Sequence, residues 1–302
     1  LKKYKDSNLK IDLLELFVLV NYTSYCGVPC SMDMMYFYFS DCIESYEDIF
    51  YALEKMNRII VESDDYDLYD KSQDYKVMRS KLFAEKSFNV LAPNIISDVM
   101  NKFLDRIGNH IIYRYDIFKR RAYDADLTKK AFDLKKGINF YEKVLKNNKS
   151  PYIRQQYALF LQRKKEYDLA WKQIDQAYTE SKKKIFSIAN THAIIMFEMN
   201  IINEATNEHE LNMLKETIKK SFTTLEFCIT QDVRVNYHVL IYARNAIRYY
   251  EKYAWDGYAE DYVDIALKQL NVLLNSGEYI YQGTLKELKN LQKQLDVIKN
   301  MI

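Results

Sequence analysis

The cysteines and histidines are the side chains best suited to nucleophilic, acid–base or metal chemistry, and the chain has four of each. Cys26, Cys30 and Cys42 fall within one stretch, but three residues separate the first pair and no fourth ligand follows there at a spacing typical of zinc. The histidines are far apart, at His110, His192, His209 and His238. The pattern favours buried or inert thiols and predicts no metal site and no catalytic residue.

The sequence also lacks the motifs that bind nucleotide phosphates. Neither G-x-x-x-x-G-K-[ST] nor G-x-G-x-x-G occurs, and the six glycines are scattered. We therefore predict that this chain is not itself an enzyme and that it binds no cofactor.

The composition favours long helices. Gly and Pro number only six and three, so the chain lacks the residues that tight turns and sheets need, while 48% of it is hydrophobic and 28% charged. The apolar run Leu13–Val20 is too short to span a bilayer, and no secretory signal is present. We expect a mainly all-α, cytoplasmic protein with no membrane partner. The first residue is Leu rather than Met, which favours a processed product or an excised fragment.

The net charge of +2 predicts no dominant attraction to nucleic acid. Three basic clusters nevertheless occur, at Lys119–Arg121, Arg163–Lys165 and Lys182–Lys184. Two interpretations remain open for them: cations that complement the dipoles of helix C-termini, or contacts with nucleic acid or an acidic partner.

Residues 1–91 have the pattern of a small winged-helix-like domain. Apolar spacing predicts three helices, in Ile11–Tyr22, in the stretch capped by Ser31 and Asp33, and in Tyr46–Met56. A β-hairpin should follow, and its strands are predicted at Arg58–Glu62, Tyr66–Asp70 and, as a further strand, Tyr75–Met78. The third helix carries more acidic than basic residues, which favours a structural connector over a DNA reader.

A helical connector is predicted for residues 92–125, since Lys81–Leu91 returns to helix and Pro93 opens another that runs to Arg106. Residues 126–302 are predicted to be a repeat domain. In Ser150–Tyr178, Ala158 and Ala170 stand where two helices would cross closely. This hairpin resembles a tetratricopeptide repeat. Further helices are predicted at Ile138–Lys146, Phe186–Met199, Leu211–Cys228, Val233–Tyr250 and Tyr258–Leu274, with Leu285–Ile302 as a terminal cap.

Such an array has a concave face lined by the first helix of each hairpin, and this face would bind a protein or peptide. The polar residues predicted to be exposed there, and to contact the partner, are Arg154, Gln155, Gln162, Asn190 and Arg244.

The order of winged helix, connector and array resembles the C-terminal part of STAND-class signalling NTPases, which include bacterial antiviral sensors. Arg79–Glu85 is similar to the segment that ends their winged helix, although Ser80 stands where that segment has His. The resemblance implies that the array senses a protein or peptide trigger, while an NTPase core upstream oligomerises. The alternatives are a free-standing tetratricopeptide scaffold, a peptide-responsive transcription regulator and a helical enzyme of another type.

Overall fold

The computed structural model describes residues 9–64 and 73–302, and within these the protein has fifteen helices and three short strands. The prediction of a mainly all-α helical fold is confirmed. The chain divides into two compact units, Leu1–Lys149 and Ser150–Ile302. The finer division at residues 91 and 125 stays a prediction.

The first unit holds eight helices and the sheet among its described residues. In chain order its elements are α1 (Leu13–Tyr25), β1 (Cys30–Ser31), α2 (Met32–Tyr38), α3 (Tyr46–Lys55), β2 (Ile60–Glu62), β3 (Tyr75–Met78), α4 (Lys81–Val90), α5 (Pro93–Arg106), α6 (Tyr115–Ala122), α7 (Ala125–Ala131) and α8 (Leu134–Asn147). The strand order is β1-β3-β2, antiparallel throughout. This succession of elements agrees with the predicted winged-helix-like domain.

The sheet differs from its prediction in detail. Strand β2 begins at Ile60 rather than Arg58, and it pairs directly with β3 through Ile60 and Met78. Strand β1 was not predicted, because two residues are too few to give an alternating pattern. The predicted strand Tyr66–Asp70 lies outside the described residues.

Helix α1 forms the centre of the first unit. Asp12 caps its N-terminus by accepting a hydrogen bond from Leu14 N, and Leu16–Thr23 are buried. The Tyr22 ring packs edge-on against Phe103 and Phe118, with ring centres 5.5 and 5.6 Å away. The helices of this unit therefore surround an aromatic core, where many of the tyrosines and phenylalanines of this half are buried.

The second unit consists of three successive helical hairpins and a last helix. Its elements are α9 (Pro151–Arg163), α10 (Tyr167–Glu180), α11 (Phe186–Ile201), α12 (Glu208–Gln231), α13 (Val235–Tyr253), α14 (Gly257–Asn275) and α15 (Gln282–Lys299). The pairs α9–α10, α11–α12 and α13–α14 pack along their lengths, and the first helices α9, α11 and α13 also contact one another in turn.

Small residues are buried between the helices of the first two hairpins. Ala158 and Ala170 are fully buried in the first hairpin, as the sequence predicts. In the second, the Ser221 hydroxyl donates to the Ala193 carbonyl across 2.8 Å, so α12 approaches the backbone of α11 directly. The first two hairpins thus contain close contacts of the kind that tetratricopeptide-like hairpins need.

Candidate protein-binding surface of the helical array

Arg154 joins the two helices of the first hairpin. Its guanidinium donates to Gln173 Oε1 across 2.9 Å and to Glu180 Oε2 across 3.3 Å, both on α10. The side chain is half-buried as a result. Gln162, near the end of α9, is also half-buried. Partner contact by either residue stays a prediction.

Gln155 is not exposed, contrary to expectation. Only 5% of it is accessible, because α11 packs over this face of α9. Its side-chain NH₂ donates to the Ser187 carbonyl across 2.8 Å and to Thr191 Oγ1 across 2.7 Å. Gln155 therefore connects the first hairpin to the second.

Asn190 is likewise buried rather than exposed, with no accessible surface. Its side-chain oxygen lies 2.8 Å from His238 Nδ1, and His238 Nε2 lies 2.9 Å from Asp232 Oδ2. The expectation of exposure failed because α13 covers this part of α11, and its buried His238 needs polar partners. The three side chains form a polar network between the second and third hairpins.

The ionisation of Asp232 determines which ring nitrogen of His238 carries a proton in this network. Burial would raise the pKa of Asp232, but the hydrogen bonds from His238 and the Arg234 backbone, with the charges of both side chains, hold it below its usual value. An ionised carboxylate only accepts, so His238 donates its Nε2–H to Asp232. Asp232 Oδ1 also accepts from Arg234 N across 3.1 Å. The network thereby fixes the loop between α12 and α13.

Arg244 is exposed, as expected, but it is not free. Its guanidinium donates to the Glu287 carboxylate of α15. One turn further on, Arg248 pairs with Glu198 of α11. Links of this kind join α9 to α11, α11 to α13 and α13 to α15. Most of the polar residues predicted to contact a partner therefore make contacts within the array, and partner contact by Arg244 stays a prediction.

Exposed apolar and cationic side chains gather at the end of the array where α10 and α12 finish and α11 and α13 begin. We call this group the end surface. It consists of Lys182, Lys184, Ile185, Phe227, Val233 and Arg234. The Phe186 and Phe227 rings are 6.1 Å apart, so the ends of α11 and α12 are adjacent. Asn190 and His238 connect the start of α11 to the start of α13 in the same way.

The apolar members of the end surface are unusually accessible. Ile185, Phe227 and Val233 are 43%, 51% and 88% exposed, and the Arg234 side chain is 81% exposed. The sequence did not predict Phe227, Val233 or Arg234 as contact residues. A helix was predicted to begin at Val233, whereas α13 begins at Val235. The available signal was Asp232, a residue type that favours positions just outside a helix.

A second polar site lies between α10 and α11. The ring of His192 packs against Trp171 and Tyr178, with centroids 4.6 and 4.4 Å away, and its Nε2 lies 3.5 Å from Asp175 Oδ1. Burial lowers the pKa of His192, although Asp175 partly opposes the shift. The ring is therefore neutral at pH 7.

The three buried cysteines lack the environment that activates a nucleophile. Cys26, Cys30 and Cys228 are buried, and burial raises the pKa of Cys30 to about 12 and that of Cys228 to about 11. A reactive cysteine has its pKa lowered instead. Among the described residues no group of three or more His, Cys, Asp or Glu is arranged to hold a metal ion.

None of the helices in residues 9–64 and 73–302 has the length and apolar character that crossing a bilayer requires. Comparison with known proteins found no matching family model, no similar curated protein and no similar solved structure.

Proposed function

We propose that residues 150–302 form a non-catalytic, tetratricopeptide-like recognition module that binds a protein or peptide. The observation that carries this proposal is the succession of three stacked hairpins with small residues at their crossings. Stacked hairpins present one extended surface to a partner, and binding of peptides and proteins is what such surfaces commonly do. The exposed Ile185, Phe227 and Val233 add apolar area suited to the same role.

The proposal extends to the parent protein. The whole chain would be the C-terminal region of a STAND-class signalling NTPase, such as a bacterial antiviral sensor, in which the array detects the trigger. The order of a winged-helix-like unit before a helical array supports this, together with the Arg79–Glu85 segment. Sequencing the reading frame upstream of Leu1 tests it. A Walker A motif is expected there, and a start codon directly before Leu1 would contradict the assignment.

Peptide binding is tested by selecting a phage-displayed library of random peptides on the immobilised full chain. Enriched peptides are then synthesised with a fluorescent label and titrated by anisotropy. We expect saturable binding that the unlabelled peptide displaces. The Ala170→Leu variant is the control, since overpacking the first hairpin should weaken binding at sites built from it. Failure to enrich any peptide that binds in solution would refute the proposed function.

A further inference from the structure

The end surface combines positive charge with exposed aliphatic area, and we infer that it is the docking site for an acidic, aliphatic segment of a partner protein. This inference rests on the proposed function and specifies both the place and the chemistry of recognition. It shifts the expected contact from the concave face, where Gln155 and Asn190 are buried, to the loops at one end of the array.

Most of the positive charge at this end is uncompensated. Lys182 and Lys184 are exposed and make no ion pair within the described part of the chain. Arg234 is paired with the Asp232 carboxylate at 3.8 Å, and that carboxylate also accepts from His238. A partner segment rich in Glu or Asp would therefore meet Lys182 and Lys184, which have no ion pair among the described residues.

The backbone of the α10–α11 loop supports a role for its lysine side chains. Lys182 and Lys183 have φ values of 52° and 59°, in the left-handed region that favours glycine. Placing lysine at both positions costs conformational energy that glycine would avoid, and observed strain of this kind is concentrated at functional sites. The Lys183 ammonium packs over the Tyr178 ring at 5.6 Å, so the strained loop is held against α10.

The apolar side chains favour a protein over a nucleic acid as the partner. Two of the three apolar members, Ile185 and Val233, are aliphatic and cannot stack on bases as the third, Phe227, could. Burying the exposed area of Ile185 and Val233 against apolar side chains such as Leu, Ile or Val is favourable. The polar network beneath them holds Val233 and Arg234 in place through Asp232, so the surface is formed before a partner arrives.

The test uses the full chain and short fluorescein-labelled probes measured by anisotropy. The probes are a peptide of Glu, Leu and Ser, a version with Ser at every Leu, a version with Lys at every Glu, and a single-stranded oligo(dT) of similar length. The first probe should bind most tightly, and added salt should weaken it. Equal or tighter binding of the oligo(dT), or of the peptide without Leu, would overturn the inference.

Charge reversal locates the site. The triple variant Lys182→Glu, Lys184→Glu and Arg234→Glu should weaken the Glu–Leu–Ser peptide by about tenfold or more. The matched control reverses three exposed lysines on α14 and α15, Lys268→Glu, Lys289→Glu and Lys293→Glu, and should retain most of the affinity. Equal loss in both variants would mean a general charge effect and would overturn the inference.

Removing apolar area gives an independent readout, because Val233→Ser leaves the charge unchanged. This variant should bind the same peptide more weakly, while the salt dependence of binding persists.

Peptides recovered by library selection separate this inference from the proposed function. If they bind the unsubstituted protein and the end-surface variants with equal affinity, the proposed function stands and the inference fails. If neither a recovered peptide nor the Glu–Leu–Ser peptide binds, both fail.

Discussion

Ala170 occupies the crossing of α9 and α10 with no accessible surface. A leucine at this position has no space unless the helices separate. We expect Ala170→Leu to lower the free energy of unfolding by about 1–3 kcal/mol, measured by urea denaturation. The control is Gln176→Leu on the exposed face of the same helix, which should have little effect. Equal stability of the Ala170 variant and the unsubstituted protein would mean that the two helices do not cross there.

His192 should make the stability of the protein depend on pH. Its pKa is lowered in the folded state by burial, so the unfolded chain binds a proton that the folded chain resists. The stabilisation is complete above about pH 6.5, the ordinary value for histidine, and is lost as the pH falls toward the lowered value. His192→Phe should reduce the slope of unfolding free energy against pH in this range.

Asp175 provides a second readout of the same effect. Its charge raises the pKa of His192 and so opposes the shift due to burial. Asp175→Asn should therefore lower the pKa of His192 further and steepen the pH dependence of stability. Parallel pH profiles for the unsubstituted protein, His192→Phe and Asp175→Asn would contradict the prediction.

At the scale of elements, the α12–α13 connection depends on Asp232. Its carboxylate accepts from His238 with one oxygen and from Arg234 N with the other, whereas an asparagine offers a single acceptor. Asp232→Asn should therefore cost about 1–3 kcal/mol of stability near neutral pH. The control is Asp261→Asn at an exposed position of α14, which should be close to neutral.

The same carboxylate gives a pH signature at lower values. Because the pKa of Asp232 is lowered in the folded state, its stabilisation is present above the unfolded value of about 3.9 and is lost as the pH falls through the lowered folded value. The stability difference between the unsubstituted protein and Asp232→Asn should shrink in that acidic range. A constant difference from neutral to acidic pH would mean that the charge of Asp232 has no part in the loop.

The sequence predicts most elements, because apolar spacing and caps act locally. Helix α5 has the predicted bounds, and Ser31 caps α2 as expected by accepting from Met34 N. The candidate site was harder to predict, because it depends on contacts between distant segments. Polar residues such as Gln155 and Asn190 look like exposed residues until their partners Thr191 and His238 are brought beside them. No local pattern reveals that pairing.

For the whole molecule, the net charge of +2 argues against a DNA-binding role for the winged-helix-like arrangement. The exposed residues of α3 include Glu47 and Glu54, which would repel phosphate. We expect the full chain to show no binding to labelled duplex DNA by anisotropy, at low or at moderate salt. Binding that weakens as salt is added would favour the regulator alternative and would count against the role proposed for the first unit.

The polar links between first helices also limit how this array can evolve. Gln155 is matched to Thr191, Asn190 to His238 and Arg244 to Glu287, so each hairpin fits a particular neighbour. Hairpins are often duplicated or deleted in repeat proteins whose interfaces are uniformly apolar. Here such a change would leave a buried amide or imidazole without its hydrogen-bond partner. The number and the order of the hairpins are therefore constrained together. A new binding specificity would have to arise by substitution in the loops rather than by adding hairpins.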